Sequence, residues 1–153
     1  MGKIARKILI RQANCKDADA IYQIGKVCFT DAWRKETVIH DLTANQSSWY
    51  LVAEVEGRVI GYGCFWFVSD EGQLVNIGVH PDFRKQGWGE AILMQGIQEA
   101  KHRKMRNLFL EVRVSNQSAQ SLYHKLGFQN LGLRKSIYDL PLEDGYVMEI
   151  RFQ

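Results

Sequence analysis

The sequence predicts an α/β (α+β) fold, a mixed central sheet with helices on both faces. Two observations carry that prediction. Short runs rich in β-branched and aromatic residues recur along the chain, at Lys7–Arg11, Trp49–Val55, Arg58–Val68, Leu74–Val79 and Leu108–Arg113. Between them lie segments whose apolar residues repeat at helical spacing, notably Leu93, Ile97 and Ala100, then Ala119, Leu122, Tyr123 and Leu126.

Taken in order, Lys7–Arg11 reads as the first strand. Asp17 is a candidate cap for a helix carrying Ile21, Ile24 and Cys28. Gly25 weakens that helix, because glycine costs about 1 kcal/mol relative to alanine there. A shorter helix is expected over Lys35–Leu42. Glu56-Gly57 joins two strands as a hairpin, and Leu74–Val79 continues the sheet as far as His80-Pro81. The next helix runs from Gly89 to about Lys104. Leu108–Arg113 is apolar on both faces except at Glu111, as suits the middle of a sheet. Gly127 closes the following helix as a left-handed C-terminal residue. Strands near Phe128–Leu133 and Tyr146–Phe152 complete the pattern. No linker, repeat or low-complexity stretch divides the chain, so residues 1–153 are expected to form a single domain.

Composition narrows the function classes. Hydrophobic residues make up 46% and charged residues 24%, enough to build a core without staples. A net charge of +3 is too mild for a dedicated nucleic-acid binder. The densest basic run, Lys101-His102-Arg103-Lys104 with Arg106, suits an exposed helix C-terminus. Cys15, Cys28 and Cys64 are odd in number and form no CxxC pair, which argues against a disulfide framework or a zinc site. Buried free thiols and no metal are expected. The charged amino terminus lacks a cleavage pattern, and no stretch approaches the roughly 18 apolar residues of a membrane span. A cytoplasmic protein, monomeric or homodimeric, with no membrane partner is the expectation.

The most informative segment is Asn76-Ile77-Gly78-Val79-His80-Pro81-Asp82-Phe83-Arg84-Lys85-Gln86-Gly87-Trp88-Gly89-Glu90. A strand enters a loop with two basic residues and two glycines, and a helix follows at once. Helix N-termini present unpaired N–H groups and partial positive charge, and glycines admit a phosphate close to the backbone. Glycines also close ordinary turns. The loop lacks the third glycine of a dinucleotide fingerprint and the Gly-Lys-Ser/Thr of a P-loop.

Arg84-Lys85-Gln86-Gly87-Trp88-Gly89 resembles the Q/R-x-x-G-x-G/A loop of the GNAT acetyltransferase superfamily. The resemblance extends over nearly the whole chain, with Asn76-Ile77-Gly78-Val79 before the loop and Leu122-Tyr123 and Lys125-Leu126-Gly127-Phe128 after it. It implies a mostly antiparallel sheet and acetyl-CoA as acyl donor. It assigns Arg84, Lys85, Gln86, Gly87, Trp88, Gly89 and Glu90 to the pyrophosphate. The strand Ile77-Gly78-Val79 would run along the pantetheine arm, one of its N–H groups meeting the thioester oxygen as an oxyanion donor.

Leu110-Glu111-Val112-Arg113-Val114-Ser115-Asn116 is similar to the L-E-V-R-x-S-N segment of the RimI-type ribosomal-protein-alanine N-acetyltransferases. Tyr138 and Glu143-Asp144-Gly145-Tyr146-Val147-Met148 resemble the ending of that subgroup. The likeness implies Glu111 as general base, Tyr123 as general acid and Asn116 as a pantetheine contact. The chemistry is consistent, because an amine must be neutral to attack and the departing thiolate benefits from a proton. Each residue also has a plainer role open to it. Glu111 can pair with Arg113 or another cation, Tyr123 can be core alone, and Asn116 can cap the helix from Gln117.

The implied acceptor is a protein N-terminus, with a small-subunit ribosomal protein as candidate partner. An α-amino group titrates near 7.7–8.0 against about 10.4 for lysine, so one glutamate suffices to neutralise it. Trp33, Tyr138 and Glu143 are candidate acceptor contacts, in a groove between Phe29–Leu42 and the Tyr138–Glu143 loop; Trp66 is a further aromatic open to that role or to core packing. Asp139 after Tyr138, Gly145 in place of alanine, and the loosely matching Phe29–Trp33 depart from the subgroup on this acceptor side. The alternatives are an enzyme acting on a small amine, such as a polyamine, an aminoglycoside or an amino acid, and a silent CoA-binding sensor.

Overall fold

The structure is a computed structural model that describes residues 8–152. Lys7, read as part of the first strand, lies outside them. The elements run β1 (Ile8–Gln12), α1 (Ala18–Cys28), α2 (Lys35–Thr43), β2 (Ser48–Val55), β3 (Arg58–Val68), β4 (Glu71–Val79), α3 (Trp88–His102), β5 (Asn107–Arg113), α4 (Gln117–Lys125), β6 (Gln129–Asp139) and β7 (Leu142–Arg151). The strands form one seven-stranded sheet in the order β1-β2-β3-β4-β5-β7-β6. Every neighbouring pair is antiparallel except β4 and β5.

Strand alternation divides the core between the two faces. Tyr50 and Val52 of β2 and Tyr62 and Cys64 of β3 pack with Ile21 and Ile24 of α1 and Val38 of α2. Leu51, Ala53, Phe65 and Phe67 point the other way, onto Ile92, Leu93, Ile97 and Ala100 of α3, in the same cluster as Tyr123 and Phe128. Helices therefore cover both faces, as the sequence predicts. Glu56 (φ +53°) and Gly57 (φ +79°) form the tight turn between β2 and β3, and left-handed geometry at both positions matches the twist of the strands.

Gly96 marks the closest approach of α3 to the sheet. A Cβ there would lie 2.1 Å from Cζ of Phe65, whose ring is stacked on Phe67 and tilted against Trp49 and is fully buried. The ring has nowhere to go. Gly96→Ala is expected to cost about 1–3 kcal/mol through overpacking, read as a lower denaturation midpoint.

Several expectations are corrected. Asp17 occupies the N-cap position of α1, but its side chain does not cap that helix. It accepts two hydrogen bonds of 2.8 Å from the Arg11 guanidinium and one from the Asn14 amide, closing a preceding turn of 3₁₀ helix. The bonds from Arg11 hold its carboxyl below the ordinary aspartate range. Of the cysteines only Cys64 is buried, its thiol pushed up to about 12 by desolvation; Cys28 is half-buried and Cys15 exposed.

The last hairpin is also much longer than expected. β6 runs on through Arg134-Lys135-Ser136 to Asp139, and Tyr138 pairs with Glu143. The expected Tyr138–Glu143 loop is therefore a strand pair with only Leu140-Pro141 at its tip. Most of β6 is exposed at the sheet edge, and its middle, Arg134-Lys135-Ser136, carries no apolar signal. Its ladder comes from β7. Among the described residues, no helix is long and apolar enough to cross a membrane.

Candidate active site

β4 and β5 are parallel neighbours but pair only at Glu71–Asn107, Gly72–Leu108 and Gln73–Phe109. Beyond that point Leu74–Val79 and Leu110–Arg113 no longer pair with each other. The gap between them is a cleft of about 740 Å³ lined by both strand ends. A parallel pair needs a crossover connection, and here that connection is the glycine loop and α3. The fold therefore delivers the loop to the mouth of the cleft.

Loop and helix meet at an anion-binding geometry. The first main-chain bond of α3 runs from the Ala91 amide to the Gly87 carbonyl at 3.0 Å. The amides of Trp88, Gly89 and Glu90 therefore have no partner among the described residues, at the positive end of a 15-residue helix. Gly87 and Lys85 both take positive φ, +87° and +60°. A Cβ on Gly87 or Gly89 would meet nothing within 4 Å. At Gly89, where φ is not positive, neither packing nor backbone conformation calls for glycine. The room it leaves fits a ligand that approaches the main chain closely, as a diphosphate does.

Of the residues singled out from sequence, Ile77, Gly78, Val79, Arg84, Gly89, Glu111, Asn116, Tyr123, Trp33 and Tyr138 all line this cleft. Lys85, Gln86 and Gly87 lie exposed on the loop beside it. Trp88 packs on the core, with its indole N–H 3.3 Å from Oε1 of Gln86. Glu90 ties α3 to α4 by pairing with Lys125 at 2.8 Å. The Arg84 side chain turns back to the end of β4, donating to the Val79 carbonyl at 3.2 Å and to Sγ of Cys28 at 3.4 Å.

Glu111 sits on β5 half-buried. Its partner is Arg134 of β6, at 3.4 Å, and not Arg113. Arg113 instead pairs with Glu143 at 3.2 Å. Tyr123, on α4, is only 6% exposed, and its hydroxyl has no hydrogen bond among the described residues. Burial pushes that hydroxyl up to about 12, further from ionising than an ordinary tyrosine. Asn116 does cap α4, its Oδ1 accepting from the Ala119 amide at 3.1 Å, and it faces the cleft as well.

Two acceptor candidates are corrected. Glu143 lies outside the cleft lining: its carboxylate accepts the Ser115 amide at 2.7 Å and pairs with Arg113, bonds that hold its pKa below the usual value. Trp66 is neither in the cleft nor buried, but 36% exposed on β3. Gly145 now has a reason. A Cβ there would lie 2.5 Å from Ile137 and 2.8 Å from the Tyr138 ring, so its absence lets that ring lie against β7. Thr30, Asp31, Leu140 and Pro141, also in the lining, fall within the two segments expected to bound the acceptor groove, whereas the sequence marks Cys28 only as a helix position.

A parallel strand pair that parts beside a glycine-lined helix start leaves room in the gap for a diphosphate-bearing ligand. The Acetyltransferase (GNAT) family profile matches residues 18–128, and the chain belongs to that family. Its members draw the acetyl group from acetyl-CoA. A Bacillus subtilis protein provisionally named [ribosomal protein bS18]-alanine N-acetyltransferase is 39% identical over 93% of this chain and 94% of its own. The [ribosomal protein bS18]-alanine N-acetyltransferase of Escherichia coli K12 is 35% identical over 84% of each chain. The crystal structure of the Escherichia coli ribosomal-protein-S18-alanine N-acetyltransferase superposes with a TM-score of 0.87, covering 95% of this chain and 94% of that one at 29% identity.

Proposed function

We propose that this acetyltransferase modifies the α-amino group of a protein N-terminus, a small-subunit ribosomal protein being the candidate acceptor. One observation carries the reading: Glu111, Tyr123 and the glycine-lined helix start open onto the same cleft. The relatives named above act, by their names, on the alanine of a ribosomal protein, and they match over most of both chains.

When bound, acetyl-CoA supplies the activated acetyl group. The amides of Trp88, Gly89 and Glu90 hold its diphosphate, with Arg84, Lys85 and Gln86 nearby and Asn116 across the gap. The edge of β4 that has parted from β5, along Ile77, Gly78 and Val79, orients the pantetheine arm and offers an N–H to the carbonyl oxygen. Glu111 takes the proton of the incoming ammonium, and the Tyr123 hydroxyl gives one to the departing sulfur. Trp33 and Tyr138 flank the amine. Incubation with acetyl-CoA and an N-terminal alanine peptide of ribosomal protein bS18, with the acetyl group located by fragmentation, tests the acceptor. Labelling confined to lysine side chains or small amines defeats it.

Tyr123→Phe keeps the ring packed on Phe128 and removes only the hydroxyl. It is expected to reduce kcat by roughly 10- to 100-fold with little loss of stability. The pH dependence has a definite sign. Folding favours the neutral phenol, so its contribution to stability is fully present below the ordinary value of about 10 and is lost as pH rises through about 12. A rate decline between pH 8 and 10, should the parent show one, is therefore expected to persist unchanged in Tyr123→Phe.

A further inference from the structure

We propose that Arg113 is a positioning residue for the amine acceptor: it fastens the β6–β7 hairpin tip in place as one lip of the cleft. The proposal rests on the acceptor reading given above. The tip, Leu140-Pro141, lines the cleft, yet no packing holds it. Leu140 is 59% exposed and Leu142 69%. Its anchorage is polar. Arg113 Nη1 donates to the Pro141 carbonyl at 2.8 Å, and Nη2 to the Leu140 carbonyl at 3.3 Å. The same guanidinium pairs with Glu143 at 3.2 Å and lies 4.4 Å over the Tyr138 ring.

Arg113 is itself held from behind. Gln120 donates to the carbonyls of Arg113 and Val114, and Glu143 is fixed by the Ser115 amide. From across the cleft the Thr30 hydroxyl donates to the Leu140 carbonyl, so the two lips touch over the opening. One planar fork thus sets the height of the tip and the tilt of Tyr138, whose hydroxyl pKa is raised first by burial and then by the charges of Glu111, Asp31 and Glu143, with Arg113 opposing them. Arginine suits this task and lysine does not: two carbonyls, a carboxylate and a ring face need several donors in fixed directions. Glu111 has its own partner in Arg134, so removing Arg113 does not take away its ion pair.

The test separates acceptor binding from chemistry. Arg113→Lys and Thr30→Val are assayed for acceptor KM, kcat and acetyl-CoA Kd, using whichever amine the parent acetylates. Arg113→Lys is expected to raise acceptor KM about tenfold, with kcat and acetyl-CoA Kd within about twofold of the parent. Thr30→Val shifts the same constant by less. The double variant is expected to depart from additivity, since both residues hold one tip. An unchanged acceptor KM in Arg113→Lys overturns the proposal, as does a loss of acetyl-CoA affinity in step with it. A parent that acetylates lysines or small amines instead of N-termini is a separate result, and the KM comparison is then read with that amine.

Discussion

Gly89→Asp is expected to fold at least as stably as the parent and to lose acetyl-CoA binding by two to three orders of magnitude. The position is the second residue of α3, where an acidic side chain complements the helix dipole and glycine has a poorer helix propensity than aspartate or alanine. A Cβ there meets nothing within 4 Å, so the fold has no objection. The ligand does. Two unit charges about 4 Å apart at an effective dielectric near 20 repel by about 4 kcal/mol, close to three decades in Kd. Gly89→Ala, which adds bulk without charge, is expected to gain up to about 1 kcal/mol in stability and to weaken binding by a smaller factor. Calorimetric titration and denaturation of the same samples give both numbers. Acetyl-CoA bound by Gly89→Asp as tightly as by the parent would remove the diphosphate from this loop.

Glu111→Gln is the second large effect. Turnover is expected to fall by roughly 10²-fold or more, within the usual contribution of a positioned general base. Acetyl-CoA affinity is expected to stay within about twofold, because the coenzyme loop lies on the other strand's side of the cleft. The same substitution removes the ion pair with Arg134, so Arg134→Gln is the control. That pair is partly exposed and contributes under about 1 kcal/mol, and its loss alone is expected to move kcat only slightly. The Glu111→Gln deficit is expected to narrow as pH rises past the α-amino value of about 8, where the acceptor arrives already neutral. Equal rates for Glu111→Gln and parent from pH 6 to 9 would reduce Glu111 to a scaffold residue.

The residues that were legible in the sequence are those whose signal is local. Leu93, Ile97 and Ala100 announce α3 by their spacing, and all three are core. Glu56-Gly57 announces its turn because few residues tolerate left-handed geometry in succession. Gly87 and Gly89 stand out because their spacing sits between a strand and a helix. The second half of β6 was not legible. Arg134, Lys135 and Ser136 are exposed and polar, and Ser136 takes a positive φ of 56°, so nothing in the run itself marks a strand. The side-chain partners were equally hidden. Glu111 lies two residues from Arg113 in sequence, yet it pairs with Arg134, while Arg113 reaches 30 residues ahead to Glu143.

What the chain determined by itself was therefore the alternation of strands and helices, the glycine loop between β4 and α3, and the two side chains proposed for proton transfer. Periodicity and glycine placement are properties of a few consecutive residues, and they survive in any listing of them. What only the tertiary structure decided was the parting of β4 from β5 after Gln73 and Phe109, the burial that raises the Tyr123 hydroxyl pKa, and the contacts of Arg113 and Thr30 with the hairpin tip. Each depends on distances between segments far apart along the chain, and those distances exist only once both faces of the sheet are packed.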